Sequence, residues 1–312
     1  MELSSAFKNV VWAVDPLVKD KTFQEVVPHF LKAFFNSTPN NILPASVILE
    51  SQIPYLVGPE YTPSDFKVKM EASLNQWLRG LALPHLSPAS LLMETTFSVK
   101  AATEKLIAFA KSHNSNLIVC TTHAKPREQS QELGTFSENL FLNTNLPLLL
   151  IHPQSQAPKK FQEFFFPTDI SSVSIKALNQ IKPIAKSLKA HITLFHKSLS
   201  FTKDVVDFPF SSDVRSRYVS QRQMEQILEL NDILKQLREE EISSDLIVDS
   251  FEHEYVAKSI VAKAESFKNV LIAMASHSHH NPNSIPGSVT RQVLRSTKLP
   301  LWVLHPQHPI YQ

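Results

Sequence analysis

The chain repeats itself. Leu146-Pro147-Leu148-Leu149-Leu150-Ile151-His152-Pro153-Gln154 returns near the end as Leu299-Pro300-Leu301-Trp302-Val303-Leu304-His305-Pro306-Gln307. Pro147 and Pro300 lie 153 residues apart, and so do the pairs Gly134-Thr135 and Gly287-Ser288. Near the start of each half, Asp15 and Asp169 keep that offset to within one residue. An offset held from end to end means a duplicated domain, because a short motif repeated by chance would not carry its surroundings with it. It predicts domains at 1–154 and 161–312, with the polar, proline-containing stretch Ser155-Gln156-Ala157-Pro158-Lys159-Lys160 between them. A length of 312 residues suits two such units at about 100–200 residues each.

Within each half, short apolar runs alternate with helical periodicity. In the first half the strands are expected at Asn9–Val14, Ala45–Glu50, Leu91–Phe97, Leu117–Cys120 and Pro147–Ile151. Helices are expected at Lys19–Phe35, broken near Pro28, and at Ser64–Leu81, Ala101–His113 and Thr135–Asn143. The second half repeats the order, with strands at Glu163–Phe166, His191–His196, Asp245–Val248, Val270–Met274 and Leu301–Leu304. Its longest helix is expected at Asp213–Glu241, where Ile227, Leu230, Leu234 and Leu237 make one apolar stripe. Irregular stretches are expected at Gln52–Pro63 and Ser198–Ser212, equivalent places in the two halves. Apolar strands alternating with helices indicate parallel sheets covered on both faces, and right-handed crossovers make each one doubly wound.

Bulk charge narrows the partners. The net charge is +2, too small a field to attract nucleic acid or an anionic membrane surface. The first apolar run, Val10–Val14, stops at Asp15 and reads as a strand rather than a signal peptide, and no run has the length of a membrane span. A cytoplasmic protein is the expectation. Cys120 is the one cysteine; it ends an apolar run and reads as inert core.

Several of these features together resemble the universal stress protein family. The first strand of each half ends in aspartate, as Ala13-Val14-Asp15 and Pro167-Thr168-Asp169. Asp169-Ile170-Ser171-Ser172-Val173-Ser174-Ile175-Lys176-Ala177-Leu178 is similar to that family's Asp-x-Ser-x-x-Ser-x-x-Ala-Leu opening. A fourth strand, a loop, a Gly-Ser/Thr pair, a helix and a proline-opened last strand follow in both halves. The resemblance implies two tandem doubly wound five-stranded parallel-sheet α/β domains, the adenine nucleotide α-hydrolase-like fold. It also implies that the domains pair through their last strands into an intramolecular pseudo-dimer, with a further homodimer left open.

Nucleotide-binding members of that family carry Gly-x2-Gly-x9-Gly-Ser/Thr after the fourth strand. Glycines let backbone amides reach phosphate, and the helix N-terminus adds its positive end. Here the frame reads Thr121-x2-Ala124-x9-Gly134-Thr135 in the first half. In the second it reads Ala275-x2-Ser278-x8-Gly287-Ser288, one residue shorter. Both halves have lost the first two glycines of the motif, and the whole chain has only 4. The resemblance makes these eight residues, with Asp15 and Asp169, the candidate ligand contacts. Each has a structural alternative: Asp15 and Asp169 as turn or cap residues, Thr135 and Ser288 as N-caps. Lys125, Arg127 and Arg291 could add charge nearby, and Arg291 and Arg295, one turn apart, suit phosphate or surface carboxylates.

Other histidines have plainer readings. His277, His279 and His280 are the best metal candidates, against a solvated loop in a chain with 13 histidines, and no metal site is expected. His123 falls at nearly the same place in the first half. His152-Pro153 and His305-Pro306 read as strand ends. The chain has no nucleophile elbow, no phosphate-binding Gly-x4-Gly-Lys-Ser/Thr loop and no dinucleotide fingerprint. The expected function is a non-enzymatic stress-response protein that binds a protein partner or small ligand. Its rival is an ATP-binding switch in one domain with slow hydrolysis, so the cofactor is none or ATP. An adenylating enzyme ranks last, because no glycine-rich loop follows the first strand.

Overall fold

Among the described residues ten strands build one sheet. The computed structural model describes residues 9–17, 21–35, 41–58, 60–123, 135–198, 212–250, 255–276 and 287–305. The first half runs β1 (Asn9–Ala13), α1 (Lys21–Phe35), β2 (Asn41–Leu49), α2 (Ile53–Val57), α3 (Pro63–Arg79), β3 (Ser90–Glu94), α4 (Val99–Ser112), β4 (Leu117–Thr121), α5 (Thr135–Asn143) and β5 (Leu148–Ile151). The second runs β6 (Glu163–Pro167), α6 (Ser172–Leu188), β7 (His191–Lys197), α7 (Ser212–Glu239), β8 (Ser244–Asp249), α8 (Val256–Ala264), β9 (Val270–Ala275), α9 (Ser288–Ser296) and β10 (Leu301–Leu304).

The strand order is β3-β2-β1-β4-β5-β10-β9-β6-β7-β8. Each half is therefore a doubly wound parallel sheet of five strands whose order reverses between β1 and β4, or between β6 and β9. The halves meet where β5 and β10 pair antiparallel, with Leu150 opposite Leu301, Leu149 opposite Trp302 and Leu148 opposite Val303. An unpaired apolar edge invites association, and each half covers the other's.

Alternation along the last strands sends side chains to two apolar layers, and both layers run through the join. One holds Trp12, Phe30, Phe34 and Leu149 together with Phe161, Phe164 and Trp302. The other holds Phe141, Leu148 and Leu150 together with Phe165, Val293 and Leu301. Trp302 is 0% exposed, and its ring stands edge-on to Phe34 with centroids 5.7 Å apart. Phe161, just past the linker, lies 5.9 Å from Phe30 and 5.5 Å from Phe34. The two sheets thus share their cores instead of closing them separately.

Three local expectations need correction. Helix α1 continues through Pro28. Val26, Val27, Phe30, Leu31 and Phe34 are buried around it, and that burial outweighs one missing backbone hydrogen bond. The stretch Gln52–Pro63 is not wholly irregular, since it contains α2. Strand β2 begins four residues before its expected start, so that Pro44 lies inside it, opposite Trp12. The ladder to β3 starts only at Ala45, so the missing N–H falls just before it. Of the stretch Ser198–Ser212, residues 199–211 lie outside the described residues.

Candidate functional site

Doubly wound sheets bind ligands at the carboxyl ends of their strands, where the strand order reverses. In the first half that place is the mouth between β1 and β4. Trp12, Val14, Asp15, Gln24, Trp77 and Thr121 line a cavity there of about 30 Å³. Trp12 is the fourth residue of β1 and only 3% exposed. Its ring meets that of Trp77 from α3 at 5.7 Å between centroids. The two indoles pack beneath that mouth, and among the described residues the cavity beside them has room for about a water or two.

Asp15 is exposed, and its Oδ1 accepts the Leu17 backbone N–H at 2.9 Å, so it holds the turn after β1. Thr121 is the last residue of β4 and pairs with Ile151. Thr135 opens α5 and is exposed. Ala124, Gly134, Lys125 and Arg127 lie outside the described residues.

In the second half the equivalent mouth lies between β6 and β9. Asp169 is exposed there; its Oδ1 accepts from Ser171 N at 3.0 Å and from Ser171 Oγ at 2.7 Å. Ser171 in turn caps α6, its Oγ accepting the Ser174 N–H at 3.2 Å. Thr168 Oγ1 accepts from Ile170 N at 3.0 Å and shares a hydrogen bond with Ser174 Oγ at 2.9 Å. These bonds hold Ile170 at φ +64°, a conformation a β-branched side chain resists. The Asp-x-Ser opening is thus a self-bonded turn and cap.

Helix α9 corrects the capping expectation for Ser288. Ser288 is its first helical residue, Gly287 is the N-cap, and no side chain bonds there. The Gly287 N–H donates to Ser276 O at 2.7 Å, so an amide at this helix start is already used by the fold. The hydroxyls that tie the last helices down come two residues later. Ser137 Oγ donates to Thr122 O at 2.7 Å, and Thr290 Oγ1 donates to Ala275 O at 3.0 Å. Residues 137 and 290 are 153 apart, so the device is repeated, and both side chains are buried. Ser278, His277, His279 and His280 lie outside the described residues. Among the described residues no group of three or more His, Cys, Asp or Glu side chains could hold a metal ion, and no helix is long and apolar enough to cross a membrane.

Two groups at this end of the second half went unread in the sequence. His196 is buried and its Nδ1 donates to Thr168 O at 2.9 Å, leaving a buried Nε2 without a hydrogen-bond partner among the described residues. Lys197 Nζ reaches Asp249 Oδ2 and Ser259 Oγ, both at 2.9 Å, with side-chain exposures of 6% for the lysine and 15% for the aspartate. Positions 197, 249 and 259 are brought together only by the β7–β8 pairing and the packing of α8, so no local motif announces them.

Cys120 is buried, and burial pushes its thiol up to about 12, which removes it as a nucleophile near neutrality. At the end of β5, His152 lies 5.0 Å ring to ring from His123. Burial, followed by repulsion from His123 and Lys298, lowers its pKa from 6.5 to about 4. Its Nδ1 accepts the Gln154 N–H at 3.1 Å, a bond that protonation removes. The unfolded chain therefore binds a proton before the folded one does, and stability is lost as pH falls from about 6.5 toward 4. Urea midpoints measured from pH 7 to pH 4.5 are expected to fall in the wild type and to fall less steeply in His152→Asn. Equal slopes would remove His152 as the cause. The Glu138 carboxylate, held low by two arginines, adds its loss only below the ordinary carboxylate range.

Comparison with known proteins fits this geometry. Residues 160–305 match the model of the universal stress protein family. Among solved structures, a functionally unknown protein of Pseudomonas aeruginosa PAO1 aligns over 96% of this chain and 93% of its own, with 13% identity and a TM-score of 0.65. A universal stress protein of Archaeoglobus fulgidus DSM 4304 aligns over 96% of each chain, with 17% identity and a TM-score of 0.61. At such identities the likeness is one of fold, and it extends over both halves. No curated protein matches the chain by sequence.

Proposed function

Residues 160–305 are a universal stress protein domain, and from that premise we propose that the chain is a non-enzymatic stress-response protein of the cytoplasm. It acts by binding a protein partner or small ligand, as a pseudo-dimer of domains 1–154 and 161–312. The observation that carries this reading is the small cavity that the described residues leave at the mouth of the first half. Trp12 and Trp77 pack 5.7 Å apart beneath it, and the cavity beside them is about 30 Å³. The motif points the same way. Thr121 and Ala124, then Ala275 and Ser278, stand where nucleotide-binding relatives place glycine, and a side chain there keeps amides from phosphate. The used Gly287 amide reduces what the second helix start offers an anion.

A second reading, a nucleotide-binding switch in the second half, is favoured by one feature. The Asp169 turn and the buried, half-bonded His196 converge on Thr168 at the carboxyl end of the sheet. Asp169, Gly287 and Ser288 would then be its contacts, with ATP as the ligand. Mass spectrometry of the purified, denatured protein separates the readings. The first expects no stoichiometric nucleotide to co-purify, and ATP or another adenine nucleotide released at one per chain would replace it with the second.

A further inference from the structure

Equivalent residues of the two halves meet at the join. Leu149 pairs with Trp302 across β5 and β10, and these positions are 153 apart, so the approximate twofold axis passes between them. Leu150 opposite Leu301 and Leu148 opposite Val303 are the two symmetric flanks. One layer away, α5 and α9 bring a second equivalent pair together, and here the charges are opposite. Arg291 Nε donates to Glu138 Oε1 at 2.9 Å, and residues 138 and 291 are also 153 apart. The same oxygen accepts from Arg291 Nη2 and, at 2.7 Å, from Arg295 Nη2. The Glu138 side chain is 20% exposed and those of Arg291 and Arg295 39% and 45%, so the cluster is partly desolvated.

Position on a twofold axis has a consequence for partner choice. A pair of first halves meeting through this same surface would set Glu138 against Glu138. A pair of second halves would set Arg291 and Arg295 against a second Arg291 and Arg295. It would also bring two Trp302 rings to the place where Trp302 now meets Leu149. Opposite charges at such a position favour the unlike pair, and like charges penalise both like pairs.

We propose that Glu138, Arg291 and Arg295 are partner-selecting residues, which make the last-strand surface of each half accept its sister and reject a second copy of itself. The surface is thereby closed to homodimerisation, and any further self-association uses another face. This selection is independent of what the protein binds.

Three full-length variants test it: Glu138→Arg, the double variant Arg291→Glu/Arg295→Glu, and the triple variant combining them, with circular dichroism to confirm folding. Each of the first two puts like charges on both surfaces and is expected to lower the urea midpoint, while the triple variant, with charges exchanged, recovers most of the loss. Refolding a mixture of the first two at low salt is expected to give a 1:1 complex of twice the chain mass by light scattering. In that complex each chain's first half joins the other's second half. The complex should weaken in about 1 M salt, where exposed charges are screened within a few ångströms. The proposal is overturned if the triple variant is no more stable than Glu138→Arg, or if the mixture stays at single-chain mass.

Discussion

Trp302→Ala is expected to lower the free energy of unfolding by about 3–5 kcal/mol, the usual cost of emptying a large aromatic site in a packed core. Trp302 is fully buried on the axis between the halves, touching Phe34 of the first and Phe164 of the second. The chain has 3 tryptophans, and the other two, Trp12 and Trp77, both lie in the first half, 5.7 Å apart. In the variant their fluorescence reports the first half alone, although the deleted side chain belonged to the second. Urea titration should show that fluorescence and circular dichroism shift together to the lower midpoint. A first half that keeps its wild-type midpoint would mean that the cores are separate, contrary to the shared layers.

Lys197→Met is the second large effect. The variant takes from the Asp249 carboxylate the ammonium that meets it at 2.9 Å. Breaking a buried pair by removing one member costs about 3–5 kcal/mol, because the remaining charge keeps its desolvation penalty. The double variant Lys197→Met/Asp249→Leu should lie closer to the wild type, since the carboxylate that Lys197 neutralised is then gone as well. Denaturant midpoints of the two variants check this. A double variant as unstable as the single one would show that packing rather than charge governs the site, and a wild-type midpoint for Lys197→Met would show that the pair is solvated.

The sheet was legible in the sequence because its signal is local. Apolar runs such as Leu148–Ile151 and Leu301–Leu304 have no polar alternation and are too short for a helix, which fits strands buried on both faces, and α5 matches its expected bounds throughout. Misreadings came where tertiary burial overrode a local rule. Pro28 did not end its helix, and β2 begins at Asn41 rather than Ala45, because the surrounding apolar side chains had a core to enter. The site was less legible. Asp15 and Asp169 appear as turn residues, and Ser288 does not cap α9. The hydroxyls that bond at the last helices, Ser137 and Thr290, could have been found from the repeat, since they share its offset. His196, the Lys197–Asp249 pair and the Glu138–Arg291 contact depend on elements 28 to 153 residues apart, which no local motif encodes.

The proposed function rests on weak or absent ATP binding in a chain whose halves pair through β5 and β10. Isothermal titration calorimetry of the full-length protein with ATP and magnesium tests it most directly. The account predicts no heat of binding, or saturation only near about 1 mM, equivalent to about −4 kcal/mol. A stoichiometric isotherm with a dissociation constant near about 1 μM, roughly −8 kcal/mol, would contradict it.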